Sequence, residues 1–248
     1  MNQLSWEEDE VTVLVKAAPN WSKKHKQYEI CTAGISKRQG WLRLYPFPET
    51  EMLKKDVHVW DIIRLEMART TEDPRQESRK IKTESIAIIG RIENREEKKN
   101  LLSKLAEPSL EVPLSRGRSL AIIKPKIEGF SIVKRKPQTK QSTLNGRFIK
   151  LHPYGDVGLY YEWSCPSPCR FCEGGYHHMT CFDWGANILY TRYADEKEAR
   201  TKTKQKCLYE MKYDNDTWFA LGTHRLRPFK KWMIIGLLYM RKEERLKK

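Results

Sequence analysis

Short apolar runs separated by polar turns dominate the first ninety or so positions of the chain. Val11–Ala17, Tyr28–Ile35 and Gly40–Tyr45 are rich in β-branched and aromatic residues, and the polar segments SKKHK and SKRQ separate them. Val57–Met67 and Ile86–Ile92 continue the pattern on either side of a charged stretch. Short strands with turn signals between them are typical of small barrels and sandwiches. We therefore predict a small barrel or sandwich-like sheet at the N-terminus.

The pattern changes to a helical period in two places. Glu96–Ala106 has leucines at helical spacing and is followed by Pro108, so it predicts a helix that ends before the proline. Phe182–Lys212 is helical in character over most of its length. We predict one helix at the first position and one long helical segment at the second.

The second half also contains strand-like runs. Leu120–Ile123, Phe130–Val133 and Leu159–Trp163 predict strands, while Trp218–Gly222 and Trp232–Tyr239 predict a closing hairpin around a basic turn. No internal sequence repeat is evident. The predicted fold class is α+β and β-dominated. Its predicted divisions are a β-rich domain at 1–110, basic strands and a loop at 111–150, and a zinc-supported region at 151–248, unless the chain forms one continuous domain.

Charge narrows the range of partners. The chain of 248 residues has 47 Lys and Arg against 32 Asp and Glu, a formal net charge of +15. Residues 112–150 alone contain ten basic residues and one acidic residue. Such an excess attracts polyanions. RNA or DNA is therefore the expected partner, with other proteins of a complex as a further expectation.

Membrane insertion and secretion are not expected. The longest apolar run, Trp232–Met240, is shorter than the roughly 20 residues that span a bilayer. The N-terminal MNQLSWEEDE is acidic and lacks the basic and apolar regions of a signal peptide. We therefore expect a cytoplasmic protein without membrane partners. Thiols stay reduced in that compartment, so clustered cysteines there indicate metal binding or catalysis.

The segment CPSPCRFCEGGYHHMTC holds four of the six cysteines and two histidines. Tetrahedral Zn²⁺ prefers four thiolate or imidazole ligands, and C-x-x-C supplies two of them on one turn. Glycines between the cysteines and the histidines allow the chain to double back. We predict one structural zinc per chain. The predicted ligands are Cys169, Cys172 and His177, with Cys165 or Cys181 as the fourth and His178 as the alternate to His177.

The spacing Cys169-x2-Cys172-x4-His177-x3-Cys181 resembles the retroviral-type zinc knuckle, a small module that binds single-stranded nucleic acid. It has three residues instead of four before the last cysteine, and Cys165 is additional. The resemblance implies that aromatic residues inside the segment stack on bases. The spacing of Cys165, Cys169 and Cys172 also matches the radical-SAM iron–sulfur motif. In that family most of a barrel follows the motif, so zinc is the favoured interpretation.

Charge and the knuckle-like segment together predict a nucleic-acid-binding zinc protein. We predict a non-catalytic component of a larger nucleic-acid-processing assembly that prefers single-stranded RNA or DNA. Cations neutralise phosphates while rings stack on exposed bases. The residues predicted to contact nucleic acid are Lys134, Arg135, Lys136, Lys140, Arg147, Lys150, Phe171, Tyr176, Arg225, Arg227, Lys230 and Lys231.

Two alternatives remain open at this stage. Asp183, Glu210 and Lys212 have the residue types of the D…E-x-K signature of metal-dependent nucleases, in which carboxylates hold Mg²⁺. A protein-interaction module, whose charge serves solubility, is the second alternative. The segments AAPNWSKKHKQYEICTAGI and DPRQES also have the character of motifs, but they indicate no function by themselves.

Overall fold

The computed structural model describes residues 4–134, 157–224 and 227–243. In chain order, the elements of the N-terminal half are β1 (Trp6–Lys16), β2 (Asn20–Ser22), β3 (Gln27–Glu29), β4 (Thr32–Ser36), β5 (Gly40–Leu44), α1 (Glu49–Lys54), β6 (Asp61–Arg69), β7 (Ser78–Ile81), β8 (Ala87–Arg91) and α2 (Arg95–Leu105). Those of the C-terminal half are α3 (Glu111–Ser115), β9 (Leu120–Ile123), β10 (Lys126–Lys134), β11 (Val157–Ser164), β12 (His177–Cys181), α4 (Trp184–Thr191), α5 (Glu196–Lys204), a π-helical segment (Gln205–Asp214), β13 (Asn215–His224) and β14 (Arg227–Arg241).

Five strands of the N-terminal half close into a barrel. β1 pairs with β6 along its first half and with β4 along its second half, so it has a neighbour on each side. β5 lies between β4 and β7, and β6 completes the ring by pairing with β7. The β5–β7 pair is parallel, whereas the other pairs of the ring are antiparallel. The N-terminal sheet is therefore a barrel, one of the two forms predicted from the sequence.

The C-terminal sheet repeats this connectivity. Its strand order is β10-β11-β12-β14-β13-β9, and β12 runs parallel to β14. β9 and β10 are separated only by Lys124 and Pro125, so the two edge strands are halves of one interrupted strand. Proline has no amide donor, which explains the interruption. With β9 and β10 counted as one strand, both sheets have the order 1-2-3-5-4-1 with strands 3 and 5 parallel.

Helical insertions follow the third strand in both halves. α1 occupies this place in the first barrel, and α4, α5 and the π-helical segment occupy it in the second. This connectivity is that of the OB fold, a five-stranded Greek-key barrel. Strands make up 45% of the structure and helices 26%, which confirms the β-dominated prediction.

The predicted single helical segment over 182–212 is divided in the structure. Asp183 caps α4 by accepting a hydrogen bond from the Ala186 amide, and Asp195 caps α5 in the same way through Glu198. A capping side chain accepts a hydrogen bond from the free backbone amides at the start of a helix. Each cap therefore begins a new helix, and the chain turns between α4 and α5. α5 then continues directly into the π-helical segment. No helix among the described residues is both long and apolar enough to span a membrane.

The two barrels share one apolar layer. It draws on β1, β4, β5 and α2 from the first half and on β9, β13 and β14 from the second. Its fully buried members include Leu14, Trp218 and Leu238. Gly236 of β14 lies so close to β1 that an added Cβ would stand 3.5 Å from a methyl group of Val15. The barrels are thus packed against each other through side chains that water does not reach.

A buried polar network, which we call the seam network, crosses the same boundary. The carboxylate of Glu77 accepts hydrogen bonds from the Ser119 amide at 2.7 Å and from the Ser119 hydroxyl at 2.9 Å. Arg43 donates to the Ser119 carbonyl at 3.2 Å. Arg75 pairs with Asp73 at 2.6 Å and donates to the carbonyl of Thr223 at 2.7 Å.

The segment DPRQES supplies Asp73, Arg75 and Glu77 of the seam network, which gives this motif a structural role. Glu77 and Arg43 are 6% and 2% exposed. Buried charges of this kind are tolerated only where their hydrogen bonds are made.

Removing the carboxylate of Glu77 should therefore destabilise the junction between the barrels. Glu77→Ala leaves the buried Ser119 amide and hydroxyl without the carboxylate that accepts their hydrogen bonds. We expect a loss of about 3 kcal/mol in the free energy of unfolding, measured by urea titration. The exposed Glu84 provides the control, and Glu84→Ala should change stability by less than about 0.5 kcal/mol. Equal effects of the two substitutions would contradict a stabilising role of the network.

Candidate metal centre

Four side chains from the cysteine-rich segment converge on one point. They are Cys165, Cys169, Cys172 and His177, and their ligand atoms all lie within 4.8 Å of one another. The Nε2 atom of His177 is 3.3 Å from the Sγ of Cys165, 3.9 Å from that of Cys169 and 3.1 Å from that of Cys172. We call this group the Cys3His cluster. It could hold one metal ion.

The spacing within the cluster fits tetrahedral coordination. A zinc–sulfur bond of about 2.3 Å and a zinc–nitrogen bond of about 2.0 Å place the sulfur and nitrogen atoms about 3.5 Å apart across a tetrahedral angle. The three observed separations, 3.1 to 3.9 Å, bracket this value. Without an ion, three thiols and an imidazole at these distances would offer few good hydrogen bonds.

The chain around the cluster folds in a way that brings the ligands together. Cys165 follows the last residue of β11, and His177 is the first residue of β12, so the neighbouring strands hold the two ends of the loop. The Cys172 amide donates to the Cys169 carbonyl, which makes the tight turn between these ligands. Gly174 and Gly175 then adopt positive φ values of 63° and 95°, which favour glycine.

Contacts outside the ligands orient the cluster. The His177 ring hydrogen-bonds to the Phe171 backbone and packs on Trp163 with ring centroids 4.4 Å apart. Such a second contact fixes the orientation of a ligating imidazole. Burial lowers the pKa of His177 and raises the pKa of the Cys165 and Cys172 thiols. Burial thus favours the neutral forms, and a bound cation would provide the charge that thiolates need.

The segment before α3 anchors the loop from outside. Ser167 donates its amide to the Pro108 carbonyl at 3.0 Å, and Arg170 donates its amide to the Glu111 carboxylate at 2.6 Å. A backbone hydrogen bond from Leu110 also reaches the Cys165 thiol. Sequence reasoning did not identify these supporting residues. They lie more than fifty positions before the loop and have no distinctive spacing.

The structure distinguishes between the two candidate fourth ligands. Cys165 belongs to the cluster, whereas Cys181 is fully buried among apolar side chains of the second barrel. Burial raises the pKa of Cys181 well above its usual range. Side chains alternate along β12, so His177 points inward and His178 outward. The exposed His178 ring stacks on Tyr160 instead, with centroids 5.2 Å apart.

The predicted nucleic-acid contacts are only partly within the described residues. Lys134 is exposed at the end of β10 and lies 3.4 Å from Glu196. Lys231 is exposed on β14. Arg227 and Lys230 belong to the same strand. Phe171 and Tyr176 are 40% and 45% exposed beside the metal cluster. The predicted contacts that lie outside the described residues are Arg135, Lys136, Lys140, Arg147, Lys150 and Arg225.

Two of the three residues of the nuclease signature line the same groove. Asp183 and Glu210 line one groove of about 870 Å³, but Lys212 is not part of its lining. Asp183 accepts hydrogen bonds from the Ala186 and Leu237 amides, which is a capping role. Glu210 pairs with Lys206 at 2.7 Å.

Comparison with known proteins assigns the chain to a family without an assigned activity. The chain belongs to the family described as Domain of unknown function (DUF8757), whose model matches residues 114–248. A second family model, Domain of unknown function (DUF8758), matches residues 7–104. The first match spans the second barrel with the Cys3His cluster, and the second spans most of the first barrel and α2. No curated protein matches the chain in sequence.

The geometry predicts which cysteine is the fourth metal ligand. Cys165→Ser should lower the metal content from about one ion per chain, because it removes one of four ligands. It should also lower the melting temperature, because metal binding is coupled to folding of the loop. Cys181→Ser is the matched control and should retain the metal. Elemental analysis of both purified variants measures this directly. Retention of the metal by the first variant and its loss from the second would contradict the assignment.

Asp183 predicts a pH dependence of stability. Burial raises the pKa of its carboxyl to about 6, above its ordinary value of 3.8. The folded chain therefore holds this proton more tightly than the unfolded chain. The resulting stabilisation is fully present below pH 4 and is lost as the pH rises to about 6.

Asp183→Asn cannot titrate, so the stability difference between wild type and variant should report this group alone. Relative to the variant, the wild type should lose about 2 kcal/mol between pH 4 and pH 7, measured by urea unfolding at each pH. The substitution also changes the contact between the Asp183 carboxylate and the Leu237 amide. That change shifts the free energy of unfolding by the same amount at every pH, so it does not alter the pH dependence. A pH-independent difference would show that Asp183 has an ordinary pKa.

Proposed function

We propose that this chain is a nucleic-acid-binding protein with a structural zinc, and that it prefers single-stranded RNA or DNA. We further propose that it acts as a non-catalytic component of a larger nucleic-acid-processing assembly. The observation that carries the proposal is the place of the basic segments in the second barrel. They fall in the connections between its first and second strands and between its fourth and fifth strands.

These two connections have a known use in barrels of this connectivity. OB barrels bind oligonucleotides or oligosaccharides with the face of strands 2 and 3 and with the loops between strands 1 and 2 and strands 4 and 5. In the second barrel, the stretch between β10 and β11 contains Arg135, Lys136 and Lys140 among its cations. The segment THRLRPFKK spans the turn between β13 and β14 together with the adjoining ends of both strands. Sequence and connectivity therefore place cations in the loops that a polyanion would contact.

Fold alone does not establish function, which depends on specific side chains. The metal loop provides them. Phe171 and Tyr176 remain exposed although both are aromatic, and the Arg170 guanidinium lies 5.0 Å from the Phe171 ring centroid. Exposed rings beside a cation suit unpaired bases, which offer a free face for stacking and an adjacent phosphate. A duplex conceals those faces.

The ligand set supports zinc as the metal. Three thiols and one imidazole are the ligands of structural Zn²⁺ sites, and four protein ligands leave no open position for a reacting water. The hydrogen bond between the His177 ring and the Phe171 backbone is typical of metal-ligating histidines. We therefore assign the zinc a structural role, which is to hold the exposed rings of the loop in place.

Salt should weaken binding in a predictable way. Protein cations that neutralise phosphates release counterions, so the logarithm of the binding constant should fall linearly with the logarithm of salt concentration. The ligands are fluorescein-labelled single strands and matched duplexes, titrated by anisotropy. Absence of binding at low salt would favour the protein-interaction module. Cleavage of the strands when Mg²⁺ is added would favour the nuclease.

The exposed rings should discriminate between the two kinds of ligand. Phe171→Ala and Tyr176→Ala should each weaken binding to single strands by about tenfold and leave duplex binding nearly unchanged, because only unpaired bases can stack on them. Tyr213→Ala serves as the control, since this ring is 53% exposed on a different element. Equal losses on both ligands would remove the metal loop from base recognition.

A further inference from the structure

A cavity of about 420 Å³ lies between the first barrel and the second sheet. The strand 1–2 connection of the first barrel contributes Asn20, Trp21 and Glu29, and β5 contributes Arg43. Other walls come from the strand 4–5 connection of the first barrel and from β13 and β14. The two motif-like segments of the sequence, AAPNWSKKHKQYEICTAGI and DPRQES, thus meet at one cavity.

The polar groups of the cavity are fixed before any ligand arrives. Glu29 is 3% exposed, and its carboxylate is held by the Tyr45 hydroxyl and the His25 ring. Arg43 donates to the Cys31 thiol at 2.9 Å and to Ser119 in the seam network. Arg75 is held by Asp73. Fixed donors and acceptors of this kind favour a ligand of one shape.

Charge inside the cavity is balanced. Two carboxylates, Glu29 and Asp73, and two guanidinium groups, Arg43 and Arg75, line it. A phosphate placed there would face as many negative charges as positive ones. A neutral heterocycle with donors and acceptors on its edge fits this balance better, and the Trp21 ring provides an aromatic wall for it.

Exposed cations lie just outside the cavity. The turn between β2 and β3, which follows Trp21, carries Lys23, Lys24 and Lys26 on its exposed surface. Lys24 pairs with Glu72 at 2.7 Å, and both side chains are exposed to solvent. His224 of β13 also lines the cavity. Phosphates can therefore be held outside the cavity while an uncharged group enters it.

We propose that this cavity takes a single unpaired base of a bound nucleic-acid strand, with the flanking phosphates on the cations at its rim. This inference rests on the proposed function and deepens it. The volume lies within the range of ligand pockets, about 300 to 1,000 Å³. A base can enter only when it is unstacked, so single strands have access to the cavity at lower cost than duplexes.

Two ligands separate base recognition from phosphate attraction. The first is a fluorescein-labelled single strand, and the second is a strand of equal length in which every residue is abasic. Trp21→Ala should weaken binding of the first about tenfold, the size of one lost stacking contact, and leave the second unchanged. Trp21→Phe should restore most of the loss, because it keeps a ring. Lys23→Gln should weaken both ligands equally, because phosphates are common to them.

Trp6→Ala is the matched control, since Trp6 is half-buried like Trp21 but does not line the cavity. This variant should bind both strands as the wild type does. If Trp21→Ala binds the base-bearing strand as tightly as the wild type, the cavity is not a base site, although salt-dependent binding would still support the proposed function. Equal losses on both strands also overturn the base site. If the wild type binds neither strand at low salt, the proposed function itself fails.

Discussion

The buried carboxylate of Glu77 constrains the relative position of the two barrels. It requires donors because it is almost entirely removed from water, and Ser119 at the start of the second barrel supplies them. The same serine accepts from Arg43 of β5, so one residue of the second barrel satisfies two charged residues of the first. The shared apolar layer provides the contact surface between the two barrels, and these hydrogen bonds fix how the barrels are aligned on it.

The short linker between α2 and β9 connects this junction to the metal loop. Its first part is held on β9, where the Glu107 amide donates to the Ile122 carbonyl at 2.8 Å. Its middle contacts the loop through Pro108, Leu110 and Glu111, and its end reaches Ser119. A loop with little apolar content is thereby attached to the stable part of the molecule. The metal ion has to order only the loop itself, and not the position of the loop on the barrel.

Local patterns predicted much of this structure and missed what depends on distant contacts. The strand Leu120–Ile123 and the helix after Asn94 agree closely with expectation, because apolar period and capping are local properties. The run predicted as one strand at Tyr28–Ile35 is divided into β3 and β4. β2, β7, β12, α1 and α3 were not predicted, since none exceeds six residues and so none shows a clear period. Three of the cluster ligands were identified by spacing alone. Choosing Cys165 over Cys181 required knowing that residues 177–181 form a strand, because the extended chain carries Cys181 four residues away from His177 and into the core of the second barrel. The repeated connectivity is seen in the strand pairing and not in the residue identities.

Repetition of one connectivity gives the chain two sets of equivalent loops, which differ in how far their charges are buried and paired. In the first barrel the strand 1–2 and 4–5 connections pair their buried charges and enclose a cavity without net charge. In the second barrel the equivalent connections carry cations in excess. Attraction of a polyanion needs exposed cations, because paired charges lose their long-range field. Discrimination among bases needs groups that are desolvated and fixed, because water otherwise competes for every hydrogen bond. For the function we propose, a single barrel would have to compromise between these demands, whereas two joined barrels would meet each one separately.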